Sequence, residues 1–309
     1  MQAVLEKHLT RLKAGKCKHI VMALFRLVFL LGVGFVMVYP VLFMASNAFK
    51  TVQDTFDPTV VWIPSDFHLF NFRMAFSLMK YGEALKSTLL IVIPSVFLQI
   101  ASSLWIAYGF ARFNFKIKAF LFGLLIFSII VPVQSYMIPL YVNLKTIGLL
   151  NTKLQFYIQA ALGTGIRSGL YIFIFRQFIR NLPVELDEAA YVDGCNPLRT
   201  FFYITVPNMK TAILTIAVFS VVWYYNDYTL SSMLLNNDFP LSVTLTGVST
   251  QLKNSLQNMA GEALGADVKL LSDSILSAAC LIIVMPLIGF YLIVQRYFTE
   301  GIEKTGIVG

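Results

Sequence analysis

The sequence predicts an all-α integral membrane fold of six transmembrane helices with both termini cytoplasmic. Three observations carry that expectation. Only 13% of the 309 residues are charged while 57% are hydrophobic, and the mean hydropathy is +0.72; a soluble domain would carry about 25% charged residues. Six apolar stretches, near 21–45, 85–109, 119–144, 155–178, 211–235 and 274–295, are each long enough to cross a hydrocarbon core of ~30 Å as a helix. The net charge of +8 is one-sided. With the N-terminus inside, the inner segments hold fifteen of the 24 basic residues and the whole excess, and the outer segments are neutral. Such a bias reads as topology and not as a nucleic-acid surface.

Residues 1–20 precede the first span as a basic cytoplasmic segment. The first apolar run exceeds the 7–15 residues of a signal-peptide core, so it is expected to be retained. In the outer loop 46–84, "FDPTVVWIPSDFHLFNF" sets aromatics between Pro and Asp turn signals and is expected to be ordered at the membrane surface. The fourth span contains "GTGIRSG" (Gly163 to Gly169), the glycines of a phosphate loop in scrambled order. A phosphate loop follows a strand; inside an apolar helix small residues serve close helix contact or a local break. The sequence has no GxxxxGK[ST], so no ATP site of that kind is expected. The outer loop 236–273 has room for a short amphipathic helix, and residues 296–309 form a short cytoplasmic tail. Three cysteines and three histidines are too scattered for a disulfide framework or a metal cluster. Residues 21–295 thus read as one six-helix domain.

Between the fourth and fifth spans stands "RNLPVELDEAAYVDGCNPLRTFFYITVPNMK", with four acids in residues 185–194. Pro183 suits a first helical turn, and Glu185, Asp187 and Glu188 suit the positive end of that helix. Gly194 can end it in the left-handed conformation. Asn196 then offers an N-cap and Pro197 a first position for a second short helix, which Pro207 closes. Leu186, Ala189, Ala190 and Asp193 share one side of the first helix, where two alanines let a partner's backbone come close. A docking surface and a plain solvated loop fit these residues equally well.

Glu188-Ala189-Ala190, then Asp193-Gly194, Phe201, Ile204 and Pro207, resembles the EAA motif of binding-protein-dependent ABC importer permeases. Cys195 replaces the family's usual Ala, and "NMK" replaces a proline-containing continuation. "WYYNDYTLSSMLL" (Trp223 to Leu235) resembles the W-x-x-N-D-[FY] helix of carbohydrate importers, and "QRYFTEGIEKTGIVG" resembles their C-terminal tail. The resemblance covers nearly the whole chain and is nearest to the second permease subunit of maltose-type importers. It implies a type I ABC importer permease fold in a bacterial-type cytoplasmic (inner) membrane. It implies no catalytic residue, metal or cofactor in this chain, ATP and Mg being held by the partner ATPase. The implied partners are a second homologous permease subunit in a heterodimer, two ATPase subunits, an external solute-binding protein, a sugar and membrane lipid.

By the same resemblance, the coupling loop 180–210 seats Glu185, Leu186, Asp187, Glu188, Ala189, Ala190, Asp193, Gly194, Cys195 and Pro207 against the ATPase. The tail residues Gly306, Ile307, Val308 and Gly309 reach into the ATPase dimer. Its glycines, with Gly301, are expected to keep that tail flexible.

Arg167 and Asp227 are the only charges placed within spans and not assigned to either membrane face, and intramembrane charges are costly enough to point to function. At 1.5 Å per residue Arg167 falls about 18 Å from the outer end of its helix, and Asp227 roughly 24 Å along the fifth span from the inside. Gln134 and Tyr136, just past Pro132, reach a similar outer depth. Together with Trp223, Tyr224, Tyr225 and Asn226 these side chains are expected to line the solute path. The competing expectation is that Arg167 pairs with Asp227 or holds carbonyls freed by its glycine neighbours. An ABC permease for another solute, a secondary transporter and an intramembrane enzyme are the alternatives. The EAA spacing argues against a secondary transporter, and the spans lack a catalytic cluster.

Overall fold

The computed structural model describes residues 2–260 and 265–306, with side chains described for 21–252, 254 and 272–296. Every described element is helical. Helix α1 (Gln2–Phe49) runs through the expected boundary at residue 20 without a break. The stretch after it carries two short helices. Helix α2 (Val52–Phe56) opens with a reciprocal capping box, in which the Asp54 amide donates to Thr51 Oγ1 (3.0 Å) and the Thr51 amide to Asp54 Oδ2 (3.1 Å). The Ser65 hydroxyl donates to the other Asp54 oxygen and fastens the following turn. From α3 (Phe70–Leu78) the buried Asn71 amide donates to the carbonyls of Ala48 (3.1 Å) and Lys50 (2.9 Å). These acceptors sit at the end of α1, where helical partners run out.

Helix α4 (Tyr81–Arg112) is the central element. Pro94 lies inside it, and a proline cannot donate to the carbonyl four residues back. That carbonyl, Leu90 O, instead accepts from the Tyr157 hydroxyl.

Three of the six expected spans are not continuous helices. The stretch 119–144 is α5 (Lys118–Ile130) and α6 (Val133–Thr146), separated at Val131-Pro132. A residue before proline is pushed out of the helical region, and Val131 is extended with ψ 120°. The stretch 155–178 is α7 (Leu154–Ala161) and α8 (Ser168–Asn181), separated by backbone at φ +70° on Gly163 and +60° on Arg167. After α9 (Glu185–Val192) come α10 (Pro197–Thr200), a π-helical turn at Phe201–Thr205 and α11 (Val206–Asn208). The third broken stretch, 211–235, is α12 (Lys210–Tyr225) and α13 (Thr229–Leu234).

The remaining helices are α14 (Leu241–Ala260), longer than the short helix expected in that loop, and α15 (Gly265–Gly306). Three helical segments among the described residues are long and apolar enough to cross a membrane: Val21–Phe49, Tyr81–Arg112 and Ser272–Arg296. A fourth results if Pro197–Asn208 and Lys210–Tyr225, bent by 76°, count as one span.

Helix α4 packs against α7, α8 and α12, and α1 against α15. One buried apolar cluster joins α3, α4, α14 and α15; a second joins Leu104, Tyr108, Tyr171, Phe175, Ile179, Phe201 and Ile216. The second cluster holds the α9–α11 segment against the body of the protein.

Candidate functional site

Two regions gather the residues that the sequence singles out. The first is α9 and its turn. Helix α9 closes in a Schellman arrangement: the Cys195 amide donates to Ala190 O (2.9 Å) and the Gly194 amide to Tyr191 O (3.0 Å), with Gly194 at φ +81°. Asn196 then caps α10, its Oδ1 accepting from the Arg199 amide (2.8 Å), with Pro197 in the first position. Both features match the expectation. Pro207 does not stop the second helix at its own position; the helical run continues through Asn208, and the 76° bend follows at Met209.

The orientation of α9 departs from the expected face. Leu186, Ala189 and Asp193 are exposed, but Ala190 is buried against the body. Asp187 is not a surface acid either. Buried, it forms an ion pair with Arg112 at the end of α4, Nε to Oδ2 2.5 Å. Arg112 also donates from Nη2 to Leu182 O (3.2 Å). One cation therefore ties α4 to both the end of α8 and α9.

Phe201 adds an aromatic anchor, edge-on to Trp105 (4.9 Å) and Tyr108 (5.1 Å). What α9 and its turn display outward is acidic and apolar together: Glu185, Glu188, Leu186 and Val192, the last 87% exposed.

The second region is the break between α7 and α8. A Cβ on Gly165 would stand 2.3 Å from Gln99 Oε1 and 2.5 Å from the Tyr224 hydroxyl; one on Gly169 would stand 2.7 Å from Ser128 Oγ. The glycines serve both the break and close helix contact, as the reading without a phosphate expects. Beneath them Gln99, fully buried, donates from Nε2 to Ser168 Oγ (2.6 Å) and Ser103 Oγ (3.0 Å), and its Oε1 accepts from Tyr224 (3.1 Å). This network joins α4, α8 and α12. Sequence reasoning missed it, although "LQIASSLW" clusters polar residues inside an apolar span.

Arg167 takes the left-handed backbone at the head of α8, uncommon for a residue with a Cβ. Its guanidinium lies over the Trp223 ring, 4.2 Å from the centroid, and within electrostatic reach of Tyr136. All three side chains are exposed. Gln134, at the start of α6, is exposed, as is Asn226, whose Nδ2 donates to Val222 O (2.9 Å).

The other expected path residues serve the fold. Asp227 accepts from the amides of Leu230 (3.2 Å) and Ser231 (2.8 Å) and from the Ser231 hydroxyl (2.8 Å), so it caps α13. No ion pair joins it to Arg167 among the described residues. Tyr224 and Tyr225 are buried, the first on Gln99 and the second donating to Ile283 O (2.7 Å). Neither ring is free to stack on a solute. The depths expected for Arg167 and Asp227 assume unbroken helices and do not apply. In the tail, Gly301 to Gly306 prolong α15 as helix where a loosened segment was expected; Ile307, Val308 and Gly309 lie outside the described residues.

Residues 99–304 match the family described as "Binding-protein-dependent transport system inner membrane component". The chain is 30% identical over 252 residues to the melibiose/raffinose/stachyose import permease protein MelC of Bacillus subtilis, covering 80% of this chain and 84% of that protein. It is 32% identical over 247 residues to the osmoprotective compounds uptake permease protein GgtD of Synechocystis, covering 79% and 77%. Among solved structures it resembles a bacterial ABC transporter involved in the import of the acidic polysaccharide alginate, with a TM-score of 0.74 at 18% identity over 90% of this chain and 96% of that one. At that identity the likeness concerns the fold.

Proposed function

The chain belongs to the binding-protein-dependent transport system inner membrane components, and we propose that within this family it is a six-span sugar permease driven by a separate ATPase. As a permease of an ABC importer it is a non-enzymatic membrane component that works with ATPase and solute-binding partners. The finer reading adds a second, homologous permease subunit, two ATPase subunits with ATP and Mg, and an external binding protein. It also sets both termini inside, counting each broken pair of helices as one span.

The observation that carries the coupling role is the way α9 is fastened. An acidic and apolar surface projects from the loop, and the Arg112–Asp187 pair and Phe201 hold its base. A push on α9 then moves α4, α8 and α12 together rather than bending a loose loop. The 32-residue α4 is ~48 Å long, and the Gln99 network links it to the segment that presents Arg167 and Trp223. A sugar offers hydroxyls to the guanidinium donors and a C–H face to the indole. Glu185, Leu186, Glu188, Ala189 and Asp193 are the contact side of α9. Asp187, Ala190, Gly194, Cys195 and Pro207 shape it. Gly306 to Gly309 are the tail contact, and Gln134, Tyr136 and Asn226 flank the solute.

A relative that takes up osmoprotective compounds favours a second reading, in which the solute is a small osmolyte. Affinity purification from a membrane extract should bring down an ATPase subunit. Uptake of a labelled oligosaccharide panel beside osmoprotective solutes then decides the cargo. Uptake that proceeds without an ATPase would defeat the proposal.

A further inference from the structure

Close to α9, at the meeting of α5 and α8, three cations have no acidic partner. Neither ion pair among the described residues involves Lys118, Arg176 or Arg180, and the three repel one another through space. Arg176 is the least ordinary. Its guanidinium lies over the Phe122 ring, 3.9 Å from the centroid, and its Nε is buried without an acceptor. Charges that only set topology belong in water, yet Arg176 sits four residues, or ~6 Å, deeper along α8 than Arg180 on the same face.

Phe122 in turn packs on Phe173 (6.3 Å) and Phe110 (5.7 Å), which makes an aromatic wall beside the cations. Lys118 Nζ is steadied by Phe113 O (2.8 Å) and Asn114 Oδ1 (3.4 Å), which leaves one of its three donors. It stands in the first turn of α5, whose amides receive no side-chain cap, so the positive helix end adds to the field.

We propose that Lys118, Arg176 and Arg180 bind the phosphate of an anionic phospholipid headgroup, with Phe110, Phe122 and Phe173 beside its acyl chain. The site rests on the reading of the chain as membrane-spanning, and needs neither the sugar nor the ATPase. A lipid fits better than a protein carboxylate because the deepest cation lies inward of the helix end and against rings that suit hydrocarbon. Basic pockets between transmembrane helices take such headgroups by the same physics.

The test is titration of phosphatidylglycerol into the detergent-solubilised full-length chain, read by native mass spectrometry. Each of Arg176→Gln and Arg180→Gln should weaken binding about fivefold, the share of one basic residue at an anionic surface. Arg176→Lys, which keeps the charge, should lose less. Lys116→Gln, an exposed cation outside the cluster, should change affinity less than twofold, and phosphatidylcholine should bind at least tenfold more weakly. Equal losses for Lys116→Gln and Arg180→Gln would overturn the site as diffuse surface charge. Displacement of the lipid by millimolar inorganic phosphate would overturn it as a general anion site. Crosslinking of Arg180→Cys to a cytoplasmic subunit, with lipid binding unaffected by Arg180→Gln, would assign the cluster to a protein partner instead. Failure here leaves the transport reading intact, because uptake is measured separately.

Discussion

Arg167 is set apart by its backbone. It holds a left-handed conformation that costs a residue with a Cβ about 1–2 kcal/mol, whereas Gly163, left-handed at φ +70° in the same stretch, is free of that cost. Arg167→Gly should therefore leave thermal stability level or raised while weakening solute binding, read by a melting curve beside an uptake KM. Unchanged KM would remove Arg167 from the path. Gly165 is the opposite case. Gly165→Ala drives a methyl into Gln99 and Tyr224 and should destabilise by about 1–3 kcal/mol. Asp54 supplies a pH dependence: the Ser65 hydroxyl, then the Thr51 amide and hydroxyl, hold its carboxyl below the ordinary range despite burial. A depressed carboxyl stabilises the 46–84 loop above its unfolded pKa of ~3.9, and that contribution is lost as pH falls through the lower folded value. Asp54→Asn should flatten the acid limb of the stability profile, and an unchanged limb would refute the role. The identity of Arg167 and Asp227 as rare charges was legible in the sequence. Their separate fates were not, because a cap four residues away offers Asp227 a cheaper partner than a distant guanidinium.

At the scale of elements, what the sequence revealed was local. The Gly194 turn and the Asn196 cap are completed within a few residues, so their chemistry is written in order along the chain. The Arg112–Asp187 pair joins the end of α4 to α9 across 75 residues of sequence, and no pattern in either segment announces it. Breaking a buried pair costs about 3–5 kcal/mol, because the surviving charge is stranded. Asp187→Ala should accordingly loosen α9 and reduce ATPase capture by the purified chain. The exchange of both residues, Arg112→Asp with Asp187→Arg, should restore part of that capture. No recovery in the exchange would mean that the two act independently. The broken helices were half legible: the glycines of "GTGIRSG" point to a local break and a proline such as Pro132 disfavours helix in the residue before it, yet apolarity alone makes each stretch look like one span.

For the whole molecule, the six-span reading joins the one-sided charge of the sequence to helices of which, among the described residues, three are long and apolar enough on their own to cross a membrane. Cysteines introduced near Thr55 and near Lys116 should label from opposite sides of the membrane; labelling of both from outside would rule out this topology. Family membership and overall fold were recoverable from the EAA spacing, since that spacing is the imprint of a turn the backbone must make. The partner arrangement is a property of the assembly. On the proposed reading, α9 transmits the ATPase stroke to the solute path. The direct measurement is ATP hydrolysis stimulated by binding protein and solute in the complex reconstituted into bilayers, for the wild type and for Glu188→Lys, whose side chain is exposed and outside the Arg112–Asp187 pair. That variant should fold and insert, while its hydrolysis should no longer respond to solute and its uptake should stop. Stimulation and uptake at wild-type rates in that variant would contradict this reading.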